Sequence, residues 1–480
     1  MKRFIHIISA MLLVIGFTSC EDYLTEESPD QPTSDQIWVS YEAVEQYLAT
    51  TYSYISTTGW TYHEYFYLPE NFRSDDIHPE SGTTDWGYLQ RIVNFSNTAS
   101  EGVPAYMWNR WYVGIKMAND IIENVPTMDM LSENEQNELI AEAKFLRAFY
   151  HFNLKRNFHD IILRVSVPKS PEELSQALAT EDEVYTQIEE DFSFAAAHLP
   201  QSWASQYWGR ATANAAFAFL GKAHLYQADW SEANKAFEQI SGHALVRGTA
   251  YRSMFDGTAE VNEEVIFSRG YTEEQIDALD IYHQLGVAMA PQGYNGGWNM
   301  ASISDYCAST FEDGDIRKAA SILEHGQEFD GTIVDFPNPD FKMSLKYVES
   351  INAISTNRSV VDLILMRYAD VLLMQAEALN EMGQDTQALT FLNQVRNRAN
   401  LSSVSLTGDE LRTEIRKQRM LELVSEGQRF YDLARWGITK QQLVASGNPY
   451  AEKFEDKHNY FPIPLEEAQR NKYVDPTPGF

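Results

Sequence analysis

Residues 362–382, DLILMRYADVLLMQAEALNEM, form a segment that is apolar on nearly every side when it is projected onto a helix. A surface helix carries one apolar stripe, whereas a helix that is apolar all round has to be surrounded by other elements. The segment therefore predicts a central, buried helix. Its methionines are interpreted as core filler rather than as ligands of a cofactor.

Two helical hairpins have the residue spacing of tetratricopeptide repeats. The turn of the first is QADWSEA and the turn of the second is EMGQDTQA, and both are short enough to reverse the chain between two helices. Small residues such as Gly221 and Ala376 let antiparallel helices approach closely, and large residues such as Phe237 fill the gap to the next pair. The two hairpins predict a scaffold of stacked helix pairs.

Capping signals mark further helix starts, because a Ser or Thr with a Glu three residues later satisfies the free N–H groups of a first helical turn. The pairs are Ser132 with Glu135, Thr180 with Glu183, and Thr407 with Glu410. We expect helices over residues 39–56, 104–124, 133–157, 181–198, 210–227, 231–240, 362–382, 386–399, 408–425 and 428–435. Short strands at EVIFSRG and MSLKYV add a minor β component, so the predicted fold is mostly α.

Two long stretches, residues 57–103 and 241–350, lack a sustained helical period and are rich in Gly, Pro, Asn, Asp and aromatic residues. Loops of this length inside a compact domain tend to be functional. These two stretches are therefore where we expect a ligand to bind.

The N-terminus carries the pattern of an export signal. Lys2 and Arg3 precede an apolar run, residues 4–17, whose length fits a signal peptide better than a membrane span. Two small residues then precede Cys20, an order that is similar to a lipoprotein signal in which the cysteine becomes the first mature residue and carries lipid. The alternative is a secreted protein whose signal happens to contain a cysteine.

These patterns divide the chain into three parts. Residues 1–19 are predicted to be the signal peptide, residues 20–38 an acidic tether, and residues 39–480 a single domain. The only other cysteine is Cys307, so a lipidated Cys20 leaves no intrachain disulfide and the core alone has to stabilise the fold. No second apolar run is long enough to span a bilayer, and the expected membrane contact is the lipid anchor.

Acidic residues outnumber basic ones by 69 to 37, which gives a formal net charge of −32. Nucleic acid is a poor partner for such a surface, because phosphate binding depends on Lys and Arg. Removal of the signal, with its two basic residues, makes the mature chain more acidic still.

Five stretches resemble the SusD/RagB-like outer-membrane lipoproteins, which capture nutrients, usually glycans, for a TonB-dependent transporter. They are SCEDYL at the lipidation signal, residues 141–163, residues 367–383, residues 392–401 with 426–437, and residues 460–480. Together they follow the family's order over nearly the whole chain.

The resemblance implies four tetratricopeptide-like helix pairs packed against a loop-rich, ligand-binding subdomain. The scaffold is expected mainly in residues 39–56, 104–240 and 360–446, and the ligand-binding loops mainly in residues 57–103 and 241–350. The resemblance also implies capture and delivery to a SusC-like TonB-dependent transporter, without catalysis or a cofactor, at the outer membrane and facing the cell exterior.

The charged and aromatic segment EGQRFYDLARWG, residues 426–437, is interpreted as structural. Arg429 and Asp432 lie three residues apart on a predicted helix and are expected to pair, while Trp436 and Gly437 close its last turn. The FPIP segment near the C-terminus is expected to lie as an extended strap over the helical core.

The sequence contains no specific catalytic motif: there is no G-x-S-x-G, no H-E-x-x-H and no phosphate-binding glycine loop. Cys307 has no motif of a nucleophile around it and is interpreted as a buried, inert thiol. Residues 313–315, Asp-Gly-Asp, match only a fragment of a calcium loop, so no metal is predicted.

The binding candidates are residues of the two loop stretches. A sugar ring presents C–H groups on one face and hydroxyls on its rim, so an aromatic platform with polar neighbours suits it. Trp86 and Trp298 are the strongest candidates, because their polar, turn-forming neighbours leave them little local apolar surface to pack on. The other candidates are Trp60, Tyr88, Tyr294, Asn295 and Asn299.

For each of these rings, the alternative is that it fills the core of its own subdomain. Trp108 and Trp111, on a predicted helix, are assigned to the core, and Trp203 and Trp208 are left unassigned. The hypothesis is a lipid-anchored glycan-binding protein of an uptake system. Two alternatives stay open: a lipid-anchored glycosidase, and a tetratricopeptide scaffold that binds peptides.

Overall fold

The computed structural model describes residues 34–55, 67–259, 261–271 and 282–475. In these ranges the helices of seven residues or more are α1 Tyr41–Ser53, α2 Gly87–Val93, α3 Gly102–Asn124, α4 Glu133–Phe158, α5 Glu181–His198, α6 Ala213–Tyr226, α7 Trp230–Phe237, α8 Tyr368–Glu381, α9 Asp385–Arg398, α10 Gly408–Glu422, α11 Arg429–Arg435 and α12 Thr439–Ala445. Shorter helices are Ser34–Ile37, Leu68–Asn71, Ser81–Thr84, Pro171–Leu174, Ala250–Ser253, Leu285–Met289, Asp305–Thr310, Ile316–Ser321, Ile351–Thr356 and Leu465–Arg470.

The strands are short and form antiparallel pairs. They are β1 Ile77–Pro79, β2 Val265–Arg269, β3 Ala301–Ile303, β4 Ile322–Glu324, β5 Glu328–Phe329, β6 Thr332–Ile333, β7 Lys342–Ser344 and β8 Leu363–Arg367. The pairs are β1 with β3, β2 with β8, β4 with β7 and β5 with β6. The mostly α fold with a minor β component is therefore confirmed.

The scaffold is a series of helices that contact each other in chain order. Helix α4 packs on α3 and α5, α5 on α6, α6 on α7, and α8 on α9 and α10, while α1 lies against α3 and α4. None of the helices in the described ranges is both long enough and apolar enough to cross a membrane.

The first predicted hairpin has the close approach that its small residue indicates. A Cβ atom on Gly221 of α6 would lie 2.4 Å from the ring of Phe237 on α7, so only glycine fits there. The second hairpin, α8 and α9, buries its own cluster that includes Ala376, Ala388 and Leu392. That the pairs are tetratricopeptide-like stays a prediction.

Helix α8 is buried from Ala369 to Asn380, as its apolar sequence predicts. The predicted start at residue 362 is wrong, because residues 363–367 form strand β8. This strand pairs with β2, which lies at the predicted strand EVIFSRG. An apolar run buried on all sides is compatible with strand or helix, and here the partner strand satisfies the backbone.

A buried charge cluster joins α10 to the strands. The Glu422 carboxylate forms ion pairs with Arg317, Arg367 and Arg398, and all of these side chains are at most 1% exposed. Burial alone would raise the pKa of Glu422, but the three guanidinium groups hold it well below its usual range. Breaking such a pair leaves an uncompensated buried charge, so the cluster holds α10 in one position.

Two of the three predicted capping boxes are confirmed, at Ser132 and at Thr180. The third is wrong, because the Thr407 side chain makes no cap at the start of α10. Instead the backbone N–H of Gly408 donates to Asp385 Oδ2 of α9 at 2.8 Å. A carboxylate from the neighbouring helix has replaced the local cap.

The predicted pairing of Arg429 with Asp432 is also wrong. Arg429 Nε donates to Asp75 Oδ1 at 2.6 Å, whereas Asp432 accepts from Arg419 and Arg435. The structural interpretation of the segment holds, since the Trp436 indole donates to a carboxylate on α8.

The predicted strap is present near the C-terminus. Residues 461–464 are buried, and the N–H of Phe461 donates to the carbonyl of Asn157 at the end of α4 at 2.7 Å. The extended segment thus closes over the helical core.

Candidate functional site

The strand pair β1 and β3 brings the two candidate loop stretches together. Ile77 lies opposite Ile303, and the pairing runs on beyond the strands. There the N–H of Glu80 donates to Met300 O at 2.8 Å and the N–H of Gly82 donates to Asn299 O at 2.9 Å. Segments more than two hundred residues apart in sequence therefore run side by side.

A cleft of about 360 Å³ opens between these segments. Its lining residues are Ser81, Gly82, Asp85, Trp86, Gln292, Gly297, Trp298 and Met300. Trp86 and Trp298, the two strongest candidates, come from different loops and both line it. Each indole is half-buried and packs against the main core.

Local backbone geometry holds Trp86 in place. It is the N-cap residue of α2, and its carbonyl accepts from the N–H of Gln90 at 2.9 Å. Just before it, the buried Thr83 hydroxyl donates to Met300 O at 2.7 Å, which ties this turn to the opposite loop.

Trp298 is held by its own loop. Its N–H donates to Val287 O at 2.9 Å, and the next N–H, of Asn299, donates to Ala290 O at 2.8 Å. These bonds fix the backbone on either side of the indole, so the ring is presented by a defined loop.

Glycine is required where the loops touch. A Cβ atom on Gly82 would lie 2.0 Å from Trp298 O, and one on Gly297 would lie 2.4 Å from Pro291 O. Gly293 and Gly296 have φ of +86° and +81°, a conformation that side chains disfavour. These glycines therefore permit the tight backbone on both sides of the cleft.

The remaining loop candidates that lie in the described ranges do not line the cleft. The Tyr88 ring lies 5.9 Å from the Trp86 ring, beside the cleft, and Asn299 Nδ2 donates to Ser81 Oγ at 2.8 Å. Asn295 is exposed in the turn.

The Tyr294 ring packs edge-on against Phe336 at 5.0 Å. Burial, and then the negative charge of Asp330, raise the pKa of Tyr294. Its hydroxyl is buried without a hydrogen-bond partner in the described ranges. Trp60 and Cys20 lie outside the described residues.

Sequence reasoning missed the polar residues of the lining. Asp85 and Gln292 are exposed in the cleft, and Asp85 is the one ionisable side chain among its described lining residues. Only their positions in the sequence could have indicated these two residues, because Asp85 directly precedes Trp86 and Gln292 begins the glycine-rich turn. Many other polar residues in the loops have similar neighbours.

The other predicted features have structural roles. Burial raises the pKa of the Cys307 thiol well above its usual range, and Asp315 caps a short helix and pairs with Arg317. Trp108 and Trp111 are core residues, each 1% exposed. The described residues contain no group of three or more His, Cys, Asp or Glu side chains that could hold a metal ion.

Fold and cleft together define a class of protein: a mostly helical chain whose long loops form an aromatic cleft at the surface. Two family models match it. The model described as "Starch-binding associating with outer membrane" matches residues 22–225, and the model of the SusD family matches residues 263–480. The chain belongs to the SusD/RagB-like family.

Known relatives match along the whole chain. A SusD-like protein of Formosa agariphila is 27% identical in an alignment that covers 97% of this chain and 97% of the relative. The crystal structure of a SusD superfamily protein from Bacteroides vulgatus has a TM-score of 0.82 and 26% identity, and covers 92% of this chain and 100% of that chain. The structure of a laminarin binding SusD-like protein has a TM-score of 0.79 and 26% identity, and the match covers 92% of this chain and 99% of that chain.

Proposed function

We propose that this protein binds glycans in the cleft between Trp86 and Trp298. One observation carries the proposal: two half-buried indoles from loops distant in sequence line a single open cleft. Half-buried tryptophans on a surface cleft provide the flat apolar faces on which sugar rings pack.

Polar side chains in the cleft match the rim of a sugar. Ser81, Asp85 and Gln292 offer hydroxyl, carboxylate and amide groups beside the indoles. A few such groups beside aromatic faces orient a ligand and select it. The described lining holds one carboxylate and no basic residue, so we propose that this cleft takes neutral glycans.

The family supports this proposal. The laminarin binding SusD-like protein, by its name, binds a glycan, and it shares the fold over 92% of this chain. The model matched by residues 22–225 is described as starch-binding.

We propose further that the protein only captures its ligand. Hydrolysis of a glycosidic bond generally needs two carboxylic groups about 5 to 10 Å apart across the bond. The described lining of the cleft supplies only Asp85. A glycosidase would need a second acid there, so binding without turnover is the function that the cleft supports best.

The proposed location is the outer membrane, with lipid on Cys20 as the anchor and the domain facing the cell exterior. The family model's description, associating with outer membrane, supports this location. The proposed partner is a SusC-like TonB-dependent transporter, to which the protein delivers its glycan. Weak, repeated contacts suit that role, because a ligand held too tightly cannot be passed on.

Calorimetric titration with neutral oligosaccharides tests the proposal. Trp86→Ala with Trp298→Ala should lower affinity about 30-fold or more, because truncated aromatic anchors typically cost ~2 kcal/mol or more in all. Thermal unfolding should change little, since both rings are only half-buried. The matched control is Trp230→Ala, another half-buried tryptophan, which does not line the cleft.

Loss of stability with affinity retained would mean that the two indoles are core residues. Release of new reducing ends from the oligosaccharide would contradict binding without turnover.

A further inference from the structure

A second aromatic surface lies away from the cleft, around residues 203–210. The turn Ser205–Tyr207 and the residues after it separate two cavities, of about 480 Å³ and about 320 Å³. Tyr207, Trp208, Gly209 and Arg210 line both cavities. Each volume is in the range of small-ligand sites.

The rings of this surface are held in fixed positions. The Trp208 indole N–H donates to Asp362 Oδ2 at 2.8 Å, and the Trp203 indole N–H donates to Ala211 O at 2.7 Å. The Tyr207 ring lies 6.2 Å from that of Trp203, edge to face, and Tyr207 is 40% exposed. An exposed ring beside fixed indoles is a platform for a ring-shaped ligand.

The larger cavity contains two arginines in different states. Arg210 is fully engaged: it pairs with Glu45 at 2.6 Å and with Glu142, and its guanidinium lies 4.0 Å over the Trp203 ring. Its charge is therefore neutralised within the protein.

Arg269, at the end of β2, forms no such close pair. Burial raises the pKa of the Asp362 carboxyl, and the positive charge of Arg269 opposes that rise, so this counter-charge acts on Arg269 without an ion pair. Its guanidinium makes no hydrogen bond or ion pair with the described part of the chain, and it lies 5.4 Å over the Tyr271 ring. Its Nε atom is buried without an acceptor. A buried donor left without a partner is unfavourable, and an anion entering the cavity would supply one.

A neighbouring arginine adds to the positive potential. Burial lowers the pKa of Arg110, and the charge of Arg269 lowers it as well. The two guanidinium groups therefore repel each other, and Arg110 Nη2 donates to the Ser53 carbonyl at 2.5 Å. An anion beside Arg269 would relieve this repulsion.

We infer that the larger cavity is a second site, which binds an anionic sugar unit through a carboxylate or sulfate on Arg269 with the ring against Tyr207 and Trp208. The guanidinium fork matches both anions geometrically. That the ligand is a saccharide rests on the proposed function; that it is an anion rests on Arg269 alone. The two sites then differ in charge, because the described lining of the first cleft carries Asp85 and no cation.

The test is titration of the full chain with a hexuronate trisaccharide, its methyl-esterified form, and a sulfated trisaccharide. The charged forms should bind at least about tenfold more tightly than the ester, because a charge-assisted hydrogen bond is lost in the ester. Arg269→Gln should remove this difference. Arg470→Gln changes the net charge equally at an exposed position, 80% accessible and paired with Glu466, and should leave the difference unchanged.

A second variant, Tyr207→Ala, tests the site independently in case Arg269→Gln does not fold. Tyr207→Ala removes an exposed ring and should weaken binding of charged and esterified forms alike, by about threefold or more, with unfolding unchanged. Preference for the uronate or for the sulfate identifies the anion, and either preference supports the site if Arg269→Gln abolishes it. Equal affinity for charged and esterified forms, or equal effects of the two arginine variants, overturns it.

Failure of the first cleft is distinguishable from failure of this site. The double variant of Trp86 and Trp298 should keep the charge-dependent binding, and Arg269→Gln should keep binding of neutral oligosaccharides. If the double variant abolishes both, the second site is refuted while the first stands.

Discussion

His151 lies fully buried in α4, where its Nε2 accepts from the backbone N–H of Arg164 at 3.3 Å. Burial, and then the positive charge of Arg147, lower its pKa to about 3. In the unfolded chain a histidine titrates near 6.5. Above pH 6.5 His151 is neutral in both the folded and the unfolded state. Below pH 6.5 His151 binds a proton in the unfolded state but not in the folded state, so the free energy of unfolding falls as the pH falls toward 3.

Replacing His151 should therefore change the acid response of the whole fold. Between pH 6 and pH 4 the free energy of unfolding of His151→Gln should fall less steeply than that of the unmodified chain, by about 1.4 kcal/mol per pH unit, the value for one proton. Urea unfolding across this range measures the slope. The control is His159→Gln, which replaces a half-exposed histidine nearby in sequence. If the free energy of unfolding had the same pH slope in His151→Gln as in the unmodified chain, a buried neutral His151 would be contradicted.

Single-residue predictions succeeded where the partner is local. Ser132 and Thr180 cap their helices with a glutamate three residues away, so the sequence contains the whole interaction. Arg429 has Asp432 equally near, but it pairs with Asp75, 354 positions away in sequence. The tertiary fold determines which carboxylate pairs with Arg429, and the spacing of residues along a helix does not predict that partner.

At the scale of elements, the contact between the two cleft loops depends on Gly82. A methyl group there would lie 2.0 Å from Trp298 O, a backbone atom that has to move. We expect Gly82→Ala to separate the loops and lower glycan affinity about tenfold or more, since both indoles must reach one ligand. Gly102→Ala is the matched control, because a Cβ atom there has no neighbour within 4 Å.

Calorimetry of the two alanine variants provides the measurement. Unchanged affinity in Gly82→Ala would mean that the cleft does not need the contact between its loops. Equal losses in both variants would point to a general effect on folding.

The elements themselves were largely predictable. Long helices such as α4 and α5 carry their caps and their apolar period in sequence. The strand at residues 363–367 could not be predicted in this way, because its first four residues, LILM, are apolar throughout and the segment becomes a strand only when β2 pairs with it. The cleft could be predicted in part. The local sequence around Trp86 and around Trp298 marks each as a binding candidate, but the two come close together only because β1 pairs with β3.

At the scale of the whole molecule, the chain has one cysteine proposed to carry lipid and one that is sealed in the core. Cys307 has no exposed surface. Cys20→Ala should release the protein from the outer-membrane fraction of cells, because the proposed lipid chains supply the anchor. Cys307→Ala should stay in that fraction, and immunoblots of the fractions compare the two; membrane retention of Cys20→Ala would refute the anchor.

We propose that the indoles of Trp86 and Trp298 hold a neutral sugar between them without cleaving it. The most direct measurement is a crystal structure of the protein with a neutral oligosaccharide bound. Intact sugar rings should lie within about 4 Å of both indole faces, the distance of apolar contact. A sugar bound along the helical scaffold, with both indoles untouched, would contradict the claim.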